Sequence, residues 1–381
     1  MRVLHVHSGN MFGGVESALL TLVRESACTP DMETTFALAF DGRFSRDLRA
    51  LGVEPHMVGG VRLSRPNSIR SARAALRARL AAGDVDVMVC QQPWSGVVFG
   101  SVAREMGYPY VLWVHMASDG QHWLERIAKW SRPDAVICNS RFTEARVEQW
   151  MPRVPRQVVY CPVAASIQPE PESRRTLRRS YGVADTDVVI VMAARAERLK
   201  GHQVLIDACA RLATRSGWVC WLAGGAQLPS EAVYLDALRR TVNDRGLVGR
   251  VRFLGDREDM PTVLAASDVY CQPNLRPEAF GLSLVEAMYA GLPVVATTGG
   301  GALEIVDAAC GDLLEAGDVA GVADALGRLI DDPARRQRMG VAGRQRAAEL
   351  CDPRRRMADL SQTLSRWSRP GIAVETRRRA G

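Results

Sequence analysis

Short apolar runs alternate with helical stretches along this chain, and the alternation runs, breaks, and starts again. Strand-like runs fall at residues 3–6, 35–39, 85–90, 110–115 and 135–138, separated by helical patterns such as 69–82 and 123–130. Strands that are apolar on both faces and spaced by helices belong in a parallel sheet covered on both sides. Between 151 and 172 the periodicity lapses and prolines stand at 152, 155, 162, 169 and 171, the best candidate for a linker. Beyond it the pattern resumes: helix 174–181, strand 188–193, helix 201–215, strand 218–223, helix 230–245, strand 251–254, helix 259–266, strand 269–272, helix 282–290, strand 293–296. The expected fold class is α/β, with two Rossmann-like, doubly wound parallel-sheet domains. A chain of 381 residues is also too long for one ordinary core. The expected boundaries are 1–165 and 166–355. A C-terminal helix and basic tail over 356–381 carries Leu360, Leu364 and Trp367 at helical spacing, so the helix could pack back on the N-terminal domain.

Several classes drop out. No window is apolar for about 18 residues, so no membrane span is expected. MRVLHVHSG enters a strand with no apolar leader, and nine scattered cysteines form no C-x-x-C pair, which together favour buried thiols in a reducing cytoplasm. The net charge of +7 suits an anionic partner. Nucleic acid is disfavoured because the few aromatics are not interleaved with basic runs.

The stretch 269–306 reads as strand, loop, helix, strand and a Gly299-Gly300-Gly301 turn opening another helix. In open parallel sheets a ligand lies beyond the carboxyl ends of the strands, where helix N-termini aim N–H groups at an anion. Glu278 and Glu286 flank that place. A carboxylate repels phosphate but accepts strongly from hydroxyls, so a phosphate with flanking hydroxyls, a nucleotide sugar, fits both features. Arg195 and Lys200 follow the strand VVIVMAA on the same side and suit a diphosphate, the first as a two-pronged donor and the second as a point charge.

In the first half, the loop from Gly9 to Gly14 joins a strand to a helix with the spacing G-x-x-x-G-G. That is neither the dinucleotide G-x-G-x-x-G nor a P-loop, which weakens nicotinamide and ATP readings; a tight turn without a ligand is as compatible as a binding loop. His115 ends the strand YVLWVH and could meet a sugar hydroxyl or simply cap the strand, while His5 and His7 read as packing residues. Glu16 could orient an acceptor hydroxyl, although Glu in a first helical turn is also favoured by the dipole. Asp84-Val85-Asp86 and Asp185-Thr186-Asp187 have a metal-binding spacing but precede their strands, at the sheet edge away from the crevice, so no metal is expected. Arg70, Arg73 and Arg77 stripe helix 69–82, where they read as a solvated face or a contact with anionic lipid.

With those residues in view, the chain resembles the retaining glycosyltransferases of family 4, which have the GT-B fold of two Rossmann-like domains facing a cleft. The resemblance rests on RAERLKG, EAFGLSLVE with its E-x7-E spacing, EAMYAGLPVVA and GGALEIV in the second half. In the first half it rests on Gly13-Gly14-Val15-Glu16 and His115. It implies that Arg195 and Lys200 hold the donor diphosphate, Glu286 the ribose and Glu278 the donor sugar. It further implies that the backbone around Phe280, Gly281, Leu282 and Ser283 supports phosphate and sugar, and that Glu304 lies near the nucleotide. Gly13 and Gly14 would close over the phosphates, and His115 would contact the sugar near the anomeric centre. The implied activity is metal-independent transfer from a nucleotide-diphosphate sugar, UDP first and GDP next, to a small-molecule, oligosaccharide or lipid-linked hydroxyl, with no cofactor. A GT-B epimerase or phosphorylase, or a non-catalytic nucleotide-sugar-binding protein, is the alternative.

Overall fold

The structure, a computed structural model, describes residues 1–165 and 170–369. It divides into two units, one comprising Met1–Asn139, Thr143–Pro162 and the chain from Pro353 on, the other Ser140–Phe142 and Val163–Asp352. The sheet of the first unit contains β1 (Arg2–His7), β2 (Glu33–Leu38), β3 (His56–Met57), β4 (Val87–Gln91), β5 (Tyr110–Val114), β6 (Ala135–Cys138) and β7 (Arg156–Val158). They lie in the order β3-β2-β1-β4-β5-β6-β7, with every pairing parallel. The second unit has β8 (Val188–Ala193), β9 (Trp218–Ala223), β10 (Val251–Gly255), β11 (Val269–Gln272), β12 (Val294–Thr297) and β13 (Gly311–Leu314), in the parallel order β10-β9-β8-β11-β12-β13.

The apolar runs behave as residues with a period of two must when both sheet faces are covered. In β4, Val87 and Val89 enter one core and Met88 and Cys90 the other; in β5, Val111 and Trp113 part from Tyr110 and Leu112 in the same way. The helix Pro353–Ser365 adds Met357, Leu360 and Leu364 to the first unit's core, one stripe at helical spacing.

Three features depart from the sequence reading. The candidate linker contains β7, whose Arg156-Gln157-Val158 has no apolar run to announce it; among the described residues it is a short edge strand paired only to β6. Residues 166–169 of that stretch, and the tail from 370, lie outside the described residues. Arg178, on what reads as a polar helix (Pro171–Ser180), is fully buried. Its Nη1 donates to the Ala266 carbonyl (3.0 Å) and to Asp268 (3.1 Å), tying the helix to the amino end of the second sheet. The helix predicted over 123–130 is α-helical only through Ala128 and finishes as a 3-10 turn, Lys129–Ser131.

In each unit the chain adds strands on one side of its first strand and then crosses to the other side. The carboxyl ends of β1 and β4, and of β8 and β11, are therefore the topological switch points, where loops part and leave room for a ligand.

Candidate active site

At the β8/β11 switch point the loop after β8 carries Arg195 and Lys200, and the loop after β11 carries Asn274 and Glu278. Lys200 Nζ donates to Glu278 Oε2 at 2.8 Å, and the same oxygen accepts from Asn274 Nδ2 (3.0 Å) and Gln272 Nε2 (3.3 Å). Gln272 Oε1 in turn accepts from the Tyr270 hydroxyl (2.6 Å) and from Ser283 Oγ (2.8 Å), which links the strand end to the first turn of helix Leu282–Tyr289. Burial, opposed by the Ser283 hydrogen bond and reinforced by the Glu286 and Glu278 charges, pushes the Tyr270 phenol well up, so it stays a neutral donor. Glu278, Glu286 and Ser283 thus all bear on one buried tyrosine. Arg195 points its guanidinium at two carboxylates: Nη1 donates to Glu231 (2.8 Å) and Nη2 to Glu197. Glu231 is itself buried and accepts from the backbone N–H groups of Gln227 (2.7 Å) and Leu228 (3.2 Å) at the start of helix Pro229–Asp244. The cation is therefore held from a fixed base.

Two glycines make these loops possible. Gly201, directly after Lys200, has φ +80°, and a Cβ there would lie 1.8 Å from the Pro273 carbonyl oxygen. Gly300 has φ +64°, and a Cβ would lie 2.0 Å from the Glu278 carbonyl, the position where residues 278 and 300 form an isolated parallel bridge. Only glycine tolerates both the left-handed backbone and the approach. Phe280 is buried, and Gly281 is the N-cap of the helix that Leu282 opens. Glu304 has another occupation: its carboxylate accepts from the backbone N–H of Arg141 (3.0 Å) and Phe142 (2.9 Å), in the turn Ser140–Phe142, while Ser140 Oγ donates to the Ala279 carbonyl (2.6 Å).

At the β1/β4 switch point the polar groups are histidines and an amide. Gln91, the buried last residue of β4, donates from Nε2 to His5 Nδ1 (2.8 Å) and accepts at Oε1 from His115 Nε2 (2.8 Å). Desolvation, helped by the other histidines, lowers His5 and His115 to about 3, so both rings are neutral at any working pH. His7 Nε2 meets Glu16 Oε1 at 2.6 Å, and Glu16 Oε2 accepts from the Gly13 N–H at 2.8 Å. His5 and His7 are buried against Phe36 and Phe44, as packing residues should be, and each also takes part in a polar contact. Glu16 faces inward and anchors the glycine loop. Gly14 begins the helix Gly14–Arg24 and is exposed. Gly13 has extended backbone (φ −166°), and a Cβ there would make only an ordinary contact, 3.7 Å from Glu16 Oε2.

Of the D-x-D carboxylates, Asp84 pairs with Arg79 and Asp86 with Arg2 (3.0 Å), while Asp187 Oδ2 accepts from the Ala184 N–H (3.0 Å). Among the described residues no group of three His, Cys, Asp or Glu side chains could hold a metal ion, and no helix is long and apolar enough to cross a membrane.

Two family models match this chain, one described as Glycosyltransferase Family 4 over residues 12–167 and the other as Glycosyl transferases group 1 over residues 173–346. The chain belongs to the family 4 glycosyltransferases. Its two parallel-sheet units are those of the GT-B fold, shared by Anabaena HepE, solved with UDP and glucose, at a TM-score of 0.86 and 25% identity over 96% of this chain and 99% of that one. Sucrose-phosphate synthase from Thermosynechococcus elongatus shares the fold at a TM-score of 0.80 and 18% identity, over 96% of this chain and 98% of that one. A GDP-mannose-dependent alpha-(1-6)-phosphatidylinositol monomannoside mannosyltransferase of Mycolicibacterium smegmatis is 34% identical over 207 residues, 52% of each chain. A D-inositol 3-phosphate glycosyltransferase of Corynebacterium diphtheriae is 36% identical over 182 residues, 45% of this chain and 41% of its own. The family 4 chain spans about half the length of these curated relatives.

Residue by residue, the structure brings Arg195, Lys200, Glu278, Ser283 and Glu286 to one switch point, and His115, Glu16 and Gly13 to the other. Sequence reasoning missed Gln91, Tyr270, Gln272, Asn274 and Glu231. The available signal was a polar residue closing an otherwise apolar strand, as in VMVCQ and VYCQ.

Proposed function

We propose that this protein is a retaining hexosyltransferase that takes a nucleotide-diphosphate sugar in its second unit. One observation carries the reading: Lys200, Glu278, Asn274 and Gln272 meet at a single carboxylate oxygen at the β8/β11 switch point, with Arg195 on the same strand end. A diphosphate would displace the carboxylates from Lys200 and Arg195, and Glu278, released from the ammonium, would accept from sugar hydroxyls. Gly13 supports a binding loop in the first unit, since neither its φ nor its packing demands glycine, whereas close passage of a phosphate would. We assign His115 a sugar hydroxyl as partner.

Chemistry on this reading is same-face attack by an acceptor hydroxyl, with the departing diphosphate taking the proton. The protein contributes positioning and charge stabilisation by Arg195 and Lys200, which fill the role a metal ion has in other transferases. The names of the mannosyltransferase relatives put GDP-mannose ahead of UDP-sugars as the first donor to try, reversing the order expected from sequence. The Anabaena neighbour keeps UDP-glucose in the panel. The same relatives make a lipid-linked inositol or oligosaccharide the first acceptor class.

A peripheral membrane contact fits the first unit, but not through helix Pro66–Ala81. There Arg73 donates to the Val97 and Val98 carbonyls and Arg77 pairs with Glu105. The better surface is the segment after His115, where Trp123 (52% exposed) and Ile127 (44%) of the helix and Trp130 (68%) of the 3-10 turn that follows are exposed close to Arg126, Lys129 and Arg132 in sequence. All nine cysteines are free and eight are buried, which suits a cytoplasmic location.

The test is a thermal-shift panel of GDP-mannose, UDP-glucose, ADP-glucose and a dTDP-sugar, followed by turnover in EDTA with a phosphoinositide acceptor and assignment of the anomeric product. A donor at about 100 times its Kd should add about 2.7 kcal/mol. Products from donor alone would favour an epimerase, stabilisation without turnover a binding protein, and inversion at the anomeric carbon would sink the retaining assignment.

A further inference from the structure

We propose that Gln91 is the positioning residue for His115: its carboxamide fixes the imidazole as the Nε2–H tautomer and so leaves Nδ1 with a lone pair to accept a hydroxyl proton. The inference rests on the assignment of His115 to a sugar hydroxyl, and the geometry beneath it stands independently.

Gln91 ends β4 fully buried, with each amide atom engaged once. Nε2 meets His5 Nδ1 and Oε1 meets His115 Nε2, both at 2.8 Å. An amide has donors at one end and acceptors at the other, so the two histidines take opposite roles through it: His5 accepts and His115 donates. A neutral imidazole that donates from Nε2 has no proton on Nδ1. Nothing among the described residues hydrogen-bonds His115 Nδ1, and the ring is only partly covered, its centroid 4.8 Å from that of Trp113 with the ring planes tilted by 31°. The imidazole thus packs against Trp113, is fixed at one nitrogen by Gln91, and is open at the other.

A second grip comes from the next residue. Gln92 has φ +69°, one of two non-glycine residues with positive φ among those described, and its Oε1 accepts from the His115 backbone N–H at 3.4 Å. A left-handed glutamine costs backbone energy and persists where its surroundings over-determine it. Here the strained turn delivers consecutive amides to one histidine, the first to its ring and the second to its main chain. The titratable groups acting on the His115 ring are His5 and His7 of β1, and His7 is occupied by Glu16, so no carboxylate touches His115 to draw a proton onto Nδ1.

The prediction separates positioning from mere packing. In ¹⁵N-edited spectra of the ligand-free protein, His115 should show a protonated Nε2 and an unprotonated Nδ1, and Gln91→Met should lose that fixed state. Gln91→Glu, nearly isosteric, places an acceptor-only carboxylate between the two rings. His115 should then titrate at higher pH, and kcat should gain a fall on the acid side that the native enzyme lacks. A loss in kcat of about ten-fold or more, with KM for the donor little changed, is expected for both variants. An Nδ1–H tautomer in the native protein would overturn the proposal, as would a Gln91→Glu pH profile that superimposes on the native one in a variant that still melts cooperatively. Wild-type transfer by His115→Ala would instead remove the site reading, leaving the tautomer measurement to judge Gln91 without it.

Discussion

The two switch points have the same topology and opposite chemistry. In the first unit, a neutral imidazole on β1 and another just after β5 are joined by the amide that ends β4; in the second, the loop after β8 presents ammonium and guanidinium groups already matched to carboxylates. Neutral donors and acceptors in a desolvated setting suit hydroxyls. Paired charges suit an anion that can take over one member of each pair. One backbone plan thus serves two kinds of recognition, and what separates them is which side chain ends each strand.

The largest expected effect falls on the charged side. Lys200→Ala should reduce transfer by about 10²- to 10³-fold, the loss typical of one preorganised group facing a developing negative charge. Its Tm should move by only a few degrees, because Glu278 keeps Asn274 and Gln272 as donors. Near-native turnover would mean that the cations are structural and that the contrast is misdrawn. Gly201→Ala comes next. A Cβ 1.8 Å from the Pro273 carbonyl, at φ +80°, should cost about 1 to 3 kcal/mol in denaturant melts and weaken donor binding with it.

Acid should act more on the neutral side. His5 and His115 are held at about 3 and, in the second unit, His202 at about 4, against an ordinary 6.5. A lowered folded-state value means the unfolded chain binds more protons below pH 6.5. The stabilisation is therefore complete above that pH and is lost as pH falls toward 3. Between pH 6 and 5 each such histidine contributes a slope of up to about 1.4 kcal/mol per pH unit. Two in the first unit and one in the second predict that hydrogen exchange loosens the first unit more on acidification, and equal loosening would break the comparison. The smallest effect is Gly13→Ala, which should leave Tm unchanged and raise the donor Kd about ten-fold by thermal-shift titration. An unaltered Kd would return that loop to the status of a plain turn.

Much of this is legible in the sequence. Both sheets followed from runs such as VVIVMA and YVLWV, because burial on two faces leaves continuous apolar strands, and the placement of Arg195, Lys200 and Glu278 followed from their positions just after such strands. What escaped has physical causes. β7 has almost no apolar residue because an edge strand needs little. Gln91 looked like an ordinary strand end, since partners 86 and 24 residues away leave no local mark, and Gln272 did too, although its partners Tyr270, Asn274, Glu278 and Ser283 are all close in sequence. The Glu304 carboxylate also accepts from the N–H groups of Arg141 and Phe142, bonds across more than 160 residues that no local pattern could reveal.

The pairing of Lys200 with Glu278, and of Arg195 with Glu231, has a further consequence for how the empty protein behaves in salt. A pocket of bare cations gathers counter-ions, and its affinity for phosphate collapses as the medium becomes more concentrated. Here each cation already has an internal counter-ion, only partly exposed, so on the proposed reading an arriving diphosphate would exchange with a tethered carboxylate instead of a cloud of dissolved chloride. Affinity should therefore fall only gently with ionic strength, and on the proposed reading the displacement that seats the phosphate would also free Glu278 for the sugar.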